Sequence, residues 1–145
     1  MTDTTNKTHR GGCHCGNIRL AFETAVDPAD FEVRACQCAF CRKHNTRAIA
    51  DPAGHLTIEA ARPSDLQRYL FGLRTAEYLL CRTCGVYVAA VVDGDSRPRA
   101  LVIANALDDA ARFTAEAMKS NYDGEDEPSR MARRRAGWTP ATLKL

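Results

Sequence analysis

The sequence predicts a mainly β fold in one domain. Short alternating or β-branched segments follow one another along the chain, and turn residues separate them. The length of 145 residues fits a single domain, and 45% hydrophobic with 26% charged residues is typical of a globular protein. The chain also contains seven cysteines, which predict metal sites that would stabilise a small β core.

Seven or so short strands account for most of the chain between residues 17 and 104. The run VYVAAVV is continuously apolar and β-branched, which indicates a buried strand. The turn sequence DPAG separates two strands, and DGD after VYVAAVV is typical of a hairpin. The predicted strands are 17–23, a short one around Phe31 and Val33, 55–59, 66–71, 77–81, 86–92 and 99–104.

The two ends of the chain differ from this pattern. Residues 1–10 are polar and rich in Thr, which predicts a disordered N-terminal tail. Residues 108–120 are rich in Ala and carry apolar side chains at roughly helical spacing, which predicts a short C-terminal helix. We therefore expect a C-terminal extension, residues 108–145, that packs on the same domain as the strands.

Charge and composition exclude several classes of partner. A net charge of +2 is too small to indicate a nucleic acid or a membrane surface as a partner. No segment approaches the ~18 apolar residues of a membrane span. The first ten residues lack the apolar core of a signal peptide, so we expect a cytoplasmic protein with reduced thiols. The odd number of cysteines also disfavours a pure disulfide framework.

Four of the cysteines form two half-sites. Cys13 and Cys15 form the pattern C-x-C-G, and Cys81 and Cys84 form C-x-x-C-G. The glycine after each pair can adopt the positive φ that a tight metal-binding turn often needs. Together the pairs would supply four thiolates to one tetrahedral zinc ion, with Zn–S distances of ~2.3 Å. Such a closed site is structural.

The remaining cysteines are Cys36, Cys38 and Cys41, in the stretch ACQCAFCRKHN. Three protein ligands and one open position are typical of a catalytic zinc site. His44 is an alternative fourth ligand that would close the site. A redox pair with a resolving thiol is a second alternative.

Other polar side chains lie near these motifs. Arg42 and Lys43 either place positive charge beside the three thiols, where it would attract an anionic substrate, or form a solvated face. His44 is also the nearest candidate for proton transfer. His14 lies between two predicted ligands, and alternation along an extended chain directs it away from them.

These motifs together resemble the family of glutathione-dependent formaldehyde-activating enzymes, whose domain is shared with centromere protein V. The resemblance rests on GGCHCG at residues 11–16, CQCAFCRK at 36–43 and CRTCG at 81–85. LQRYLFG at residues 66–72 is a further match. The resemblance covers residues 11–107, where all cysteine positions of the family pattern are present, and it implies that these residues form a zinc domain of this family.

The resemblance implies a β-tent type fold, in which several small coiled β-sheets surround zinc. It implies two zinc ions per chain, one held at Cys13, Cys15, Cys81 and Cys84 and one at Cys36, Cys38 and Cys41. The family activity is the addition of glutathione to formaldehyde, which gives S-(hydroxymethyl)glutathione and is classed with the carbon–sulfur lyases. The expected partners are therefore a small thiol, such as glutathione, and a small aldehyde.

The leading hypothesis is therefore an enzyme with an open zinc site of three cysteines. The alternatives are a non-enzymatic zinc-binding scaffold or interaction module, and a thiol-redox sensor. The segment HNTR at residues 44–47 departs from the family pattern and favours the scaffold. The basic cluster SRMARRR at residues 129–135 is interpreted as a solvated or dimer-contact face, so homo-oligomer formation stays open.

Overall fold

The computed structural model describes residues 5–145 and shows the mainly β architecture predicted from the sequence. Eleven strands and two α-helices, α1 (Ala39–Lys43) and α2 (Glu127–Gly137), make up the regular structure of this region. The strands are β1 (Lys7–Gly12), β2 (Ile18–Thr24), β3 (Arg34–Cys36), β4 (Ala48–Ile49), β5 (His55–Ala60), β6 (Leu66–Tyr69), β7 (Glu77–Cys81), β8 (Tyr87–Val92), β9 (Arg99–Ile103), β10 (Met118–Ser120) and β11 (Thr139–Lys144).

The strands join into one connected sheet with a side branch. The main order is β1-β2-β5-β11-β9-β4-β3-β10, and a meander of β6, β7 and β8 joins it where β8 pairs with β9. Most pairs are antiparallel, but β11 runs parallel to β5 and β10 runs parallel to β3. The C-terminal strand β11 therefore lies between β5 and β9, in the interior of the sheet.

The largest buried apolar cluster includes residues of β2, β5, β8 and β9. All six residues of β8 are buried, as the continuous apolar run predicts. Phe31 packs between Phe22 and Phe113 with tilted rings, at centroid distances of 5.8 and 5.6 Å. Phe113 thus anchors the segment after β9 to the N-terminal half of the chain.

Most of the predicted strands are confirmed. β2, β5, β7, β8 and β9 match the predictions to within one or two residues, and DGD connects the antiparallel pair β8 and β9. β6 ends at Tyr69, two residues earlier than predicted. Phe31 and Val33 are buried, but the strand that leads into the cysteine cluster begins at Arg34.

The prediction of a disordered tail over residues 1–10 is wrong for Lys7 to Arg10. These residues belong to β1, which pairs with β2 along its whole length. β1 lies at the edge of the sheet, and only His9 in it is buried. A polar edge strand has the composition of a disordered segment, which explains the error. The first part of that prediction, residues 1–4, lies outside the described residues.

The predicted helix over residues 108–120 is also wrong. That segment contains a single 3-10 turn, Ala110–Arg112, followed by β10. The guanidinium of Arg47 donates to the carbonyl oxygens of Phe113 and Ala115, at 2.8 and 3.1 Å. These carbonyls therefore have a tertiary partner in place of a helical one. The short C-terminal helix exists as α2, further along the chain.

α2 follows a recognisable set of end signals. The Asp126 side chain caps it by accepting from the Ser129 N–H at 2.8 Å, and Pro128 lies in its first turn. Basic residues fill its last turn, where they interact favourably with the helix dipole. It has 11 residues, and no helix within residues 5–145 is long and apolar enough to cross a membrane.

The glycine pair of GGCHCG allows β1 to pass close to the segment after β9. A Cβ on Gly11 would overlap the carbonyl oxygen of Ala106 and lie 2.6 Å from the Cα of Leu107. We expect Gly11→Ala to lower the free energy of unfolding by about 1–3 kcal/mol, because the backbone must shift. Urea unfolding followed by circular dichroism measures this change.

Gly137→Ala is the matched control for that substitution. A Cβ at Gly137, in the last turn of α2, meets nothing within 4 Å, so we expect a change within about 1 kcal/mol. Equal losses in the two variants would show that the close approach of β1 does not limit stability.

Candidate metal centres

The first candidate centre combines two turns that are distant in sequence. Cys13 and Cys15 lie in the turn between β1 and β2, and Cys81 and Cys84 lie at the turn between β7 and β8. The four Sγ atoms all lie within 4.8 Å of one another. The structure therefore brings together the two half-sites that spacing predicts. We call this group the four-cysteine cluster.

The backbone of each turn wraps around the sulfur atoms. The Ile18 N–H donates to the Cys13 Sγ at 3.1 Å, and the Cys84 N–H donates to the Cys81 Sγ at 3.5 Å. The glycines after the two pairs, Gly16 and Gly85, have φ values of +85° and +79°. A side chain would be strained in that region, so the sequence requirement for glycine has a conformational cause.

The thiols of the four-cysteine cluster differ in pKa. Cys15 Sγ lies 3.7 Å from Cys13 Sγ and 3.5 Å from Cys81 Sγ. Burial raises the pKa of Cys13 to about 11. Burial also opposes ionisation of Cys84, but hydrogen bonds, among them those from the backbone at Cys15 and Val86, outweigh it and lower its pKa to about 6.

The second candidate centre is local in sequence, and we call it the cysteine triad. Cys36 ends β3, Cys38 caps the N-terminus of α1, and Cys41 lies inside that helix. Their three Sγ atoms lie within 4.8 Å of one another. The Cys41 N–H donates to the Cys38 Sγ at 3.4 Å, so the first turn of the helix holds two of the thiols together.

No fourth ligating side chain joins the cysteine triad among residues 5–145. His44, the alternative fourth ligand, is exposed and packs its ring against Phe40 and Tyr87, at centroid distances of 4.6 and 5.5 Å. His14 likewise stands outside the four-cysteine cluster, as alternation predicts. The triad thus offers three sulfur ligands and no fourth one from the part of the chain that the structure describes.

Ionisation within the cysteine triad is asymmetric. A hydrogen bond from the Cys41 thiol lowers the pKa of Cys36 to about 5, although burial opposes this change. The same hydrogen bond, together with burial, raises the pKa of Cys41. The positive charge of Arg133 contributes to the low pKa of Cys36. One thiolate is therefore present at neutral pH before any metal binds.

A cavity of about 50 Å³ opens beside the cysteine triad. Cys36 and Cys41 contribute to its wall, and most of the rest comes from β-strands and from α2. The lining residues that sequence reasoning missed include Tyr78, Tyr87, Ser120, Arg133, Arg134 and Trp138. For Arg133 and Arg134, the basic cluster at residues 129–135 was one signal in the sequence.

That basic cluster is not simply a solvated or dimer-contact face. Arg134 is only 7% exposed and lines the cavity together with Arg133. Arg133 binds Glu125 through two hydrogen bonds of 3.0 Å and lies 3.6 Å above the Tyr122 ring. Arg42 and Lys43, by contrast, are exposed on α1 and take no part in the cavity wall. The arginines beside the thiols therefore come from α2.

The donor set of both centres suits a soft metal ion. All seven cysteines are free thiols, and both groups consist of sulfur alone. Thiolate ligands favour zinc over harder ions such as magnesium or calcium. Both groups could therefore hold zinc.

Comparison with known proteins agrees with this arrangement. The family model described as glutathione-dependent formaldehyde-activating enzyme matches residues 8–122. The chain belongs to this family. The matched region contains all seven cysteines and extends beyond the predicted domain of residues 11–107 at both ends, but it ends before α2. The C-terminal helix that completes the cavity thus lies outside the part shared with the family model.

The chain is also similar to a solved structure. A crystal structure of a Rhodobacter sphaeroides protein has a TM-score of 0.60 and 29% sequence identity to this chain. The alignment covers 77% of this chain and 99% of that one. The similarity therefore extends over most of the chain and supports the mainly β fold described above.

We expect cysteine substitutions in the two centres to differ in their effect on stability. Cys15→Ser/Cys84→Ser removes one ligand from each half of the four-cysteine cluster, which joins two distant turns, and leaves only two sulfurs there. We expect it to lose one metal ion and at least ~3 kcal/mol of stability, on the order of a 10 °C lower Tm. Cys38→Ser affects a short local segment, so we expect the loss of one metal ion with a change of about 1 kcal/mol. Scanning calorimetry with metal analysis measures both, and equal destabilisation would contradict the separate roles.

The cysteine triad also predicts a pH dependence of metal affinity. Metal binding needs thiolates, and the raised pKa of Cys41 means that its proton must leave when the metal binds. The apparent zinc affinity of Cys15→Ser/Cys84→Ser, in which only the triad keeps three sulfurs, should rise by about tenfold or more per pH unit between about pH 6 and 8. Competition with a chromophoric chelator measures it, and a flat profile would show that the triad is already fully ionised.

Proposed function

We propose that this protein is a zinc-dependent enzyme that makes or breaks a carbon–sulfur bond between a small thiol and a small aldehyde. The observation that carries this proposal is the cysteine triad, which has three sulfur ligands, no fourth protein ligand among the described residues, and a cavity beside it. Membership of the glutathione-dependent formaldehyde-activating enzyme family supports glutathione and formaldehyde as the reactants.

The proposal assigns one zinc ion to each group of cysteines. Four sulfur ligands complete a tetrahedron in the four-cysteine cluster, so zinc there is structural. Zinc at the cysteine triad would keep a substrate sulfur as a thiolate near neutral pH. Occupancy of the triad can be lower, because it offers one ligand fewer.

The size of the cavity limits which part of each reactant it can hold. A volume of about 50 Å³ accommodates a few non-hydrogen atoms, whereas drug-sized ligands occupy ~300 Å³ or more. The proposal therefore places the small carbonyl compound in the cavity and most of a glutathione-sized thiol outside it. Exposed Arg42 and Lys43 on α1 are available to attract a carboxylate of that thiol.

The chemistry is an addition to a carbonyl group. The thiolate sulfur forms a bond to the carbonyl carbon, and the π electrons of the C=O bond move to the oxygen. The oxygen then takes a proton from solvent, which gives the S-hydroxyalkyl adduct, and the reverse steps release the thiol and the aldehyde. His44 was the sequence-based candidate for proton transfer, but it lies outside the cavity wall.

A thiol-redox sensor is the second candidate function. Cys36 combines a pKa of about 5 with partial exposure and a hydrogen bond to the Cys41 thiol. An ionised, accessible thiol beside a second thiol is the arrangement that oxidises to a disulfide. This candidate predicts a disulfide within the triad, with loss of its zinc, after mild peroxide treatment.

The enzyme proposal is tested by Cys38→Ser. We expect this variant to keep its fold and to lose at least about 100-fold of the glutathione-dependent consumption of formaldehyde, because the open site loses a ligand. Nuclear magnetic resonance exchange spectroscopy of the hydroxymethyl signal measures the rate, and circular dichroism checks the fold.

His44→Gln is the matched control beside the same site. It alters a side chain next to the triad that lies outside the sulfur group, so we expect zinc content and rate to stay within about threefold. Wild-type rates in Cys38→Ser would refute the metal-centred mechanism. A wild-type protein with zinc at both centres and no thiol or aldehyde reaction would leave the non-enzymatic scaffold as the function.

A further inference from the structure

Three side chains in the wall of the cavity carry buried polar atoms that have no partner. They are the Tyr87 hydroxyl, the Arg134 Nε and the Ser120 hydroxyl, none of which has a hydrogen-bond partner in the region from residue 5 to residue 145. Tyr87 is 4% exposed and Arg134 is 7% exposed. Water outside the protein therefore does not satisfy them.

Unpaired buried polar groups are rare, because each loses its hydrogen bonds to water without replacement. The three groups here are not scattered, since all of them belong to residues that line one small cavity. Arg134 Nε–H can only donate, and the two hydroxyls can both donate. The natural complement of such a set is a ligand with hydrogen-bond acceptors.

The charge of the wall indicates that this acceptor is an anion. Arg133 shares the Glu125 carboxylate with Arg130, at 3.0 and 3.2 Å, and Arg34 pairs with Glu32 at 3.4 Å. Arg134 donates to the Thr75 hydroxyl at 2.8 Å and lies 5.0 Å from the Trp138 ring centroid, but it forms no ion pair with a carboxylate within the described residues. With zinc bound, the three thiolates of the triad would add one net negative charge to that of Glu125, against the three positive charges of Arg130, Arg133 and Arg134. One positive charge beside the cavity therefore stays uncompensated, which is unfavourable for a buried guanidinium.

The cavity further restricts the anion. Its volume of about 50 Å³ suits a ligand of only a few non-hydrogen atoms. One uncompensated positive charge matches a monoanion better than a phosphate dianion. Ala48, Leu101 and Trp138 supply an apolar part of the wall, which can contact a short carbon group. A carboxylate meets all of these requirements, because it pairs with guanidinium and accepts from hydroxyls.

We propose that the cavity between the cysteine triad and α2 binds a small carboxylate through Arg134, Tyr87 and Ser120. The anion site is inferred from the cavity itself. Its assignment to a reactant rests on the proposed function: the carboxylate belongs either to the carbonyl compound, which would make the substrate a small oxo acid, or to the thiol. In either case α2, outside the family-matched region, supplies the charge that selects the substrate.

The test is isothermal titration of the zinc-loaded protein with sodium formate, the smallest carboxylate. We expect saturable binding at one site per chain. Formamide has a similar size and no charge, so it should bind at least about tenfold more weakly. Arg134→Gln and Tyr87→Phe should each weaken formate binding by at least about threefold, and the loss should be larger for Arg134→Gln.

Two features keep this test independent of folding. Tyr87→Phe removes a hydroxyl that has no protein partner, so it should not lower stability even if Arg134→Gln does. Tyr69→Phe is its matched control, because Tyr69 is 42% exposed and lies outside the cavity wall. It should bind formate like the wild type.

Two further arms assign the carboxylate to a reactant. If saturating glutathione abolishes formate binding, the site holds a carboxylate of the thiol. If formate affinity is unchanged by glutathione and glyoxylate competes with formate, the site holds the carboxylate of the carbonyl compound. Either result supports the proposed site.

Two results would overturn the anion site. One is the absence of saturable formate binding to the wild type. The other is binding that persists unchanged in both Arg134→Gln and Tyr87→Phe, which would place formate on the metal. Formate binding does not require turnover. A protein that binds formate as expected but shows no thiol or aldehyde reaction would therefore keep the anion site and lose the proposed function.

Discussion

The need to hold four sulfur atoms in one small volume shapes this protein. Cys13 and Cys15 approach Cys81 and Cys84 only because β1 and β2 bring one turn to the turn between β7 and β8. Glycines with positive φ shape the two turns, and backbone N–H groups donate to the sulfur atoms. Hydrogen bonds lower the pKa of Cys84, so the cluster contains a thiol that ionises readily beside its neighbours. A metal ion that binds there would connect the β1–β2 end of the sheet to the branch of β6, β7 and β8, and so would stabilise the frame that carries the cysteine triad.

The cysteine triad, in contrast, is built from one short segment of the chain. Its three sulfurs come from one short segment, β3 and the first turn of α1, and they depend little on distant parts of the chain. What distant parts supply is the surroundings: Tyr87 from β8, Ser120 from β10 and Arg134 from α2. In the proposed function, the local segment would hold the metal, and the assembled cavity would select the reactant.

The ligand groups could be predicted from sequence because the spacing of cysteines and glycines records local geometry. The buried strands could be predicted because their apolar residues alternate or form a continuous run, as in the fully buried β8. β1 was missed because an edge strand exposes polar side chains, and residues 108–120 were misjudged because Arg47 binds two of their carbonyls. Arg134 could not be placed at the cavity, because its burial depends on tertiary packing that a charge cluster does not reveal. The start of α2 at Asp126 and Pro128 was the available signal.

The central claim is that the cysteine triad has a coordination position that a substrate thiol can occupy. Zinc-edge X-ray absorption spectroscopy of the zinc-loaded protein, with and without glutathione, tests it most directly. One group of four sulfurs and one of three give an average of about 3.5 sulfur neighbours per zinc without substrate. The account predicts an increase to about 4 when glutathione is added. An average that stays near 3.5 at saturating glutathione would contradict it.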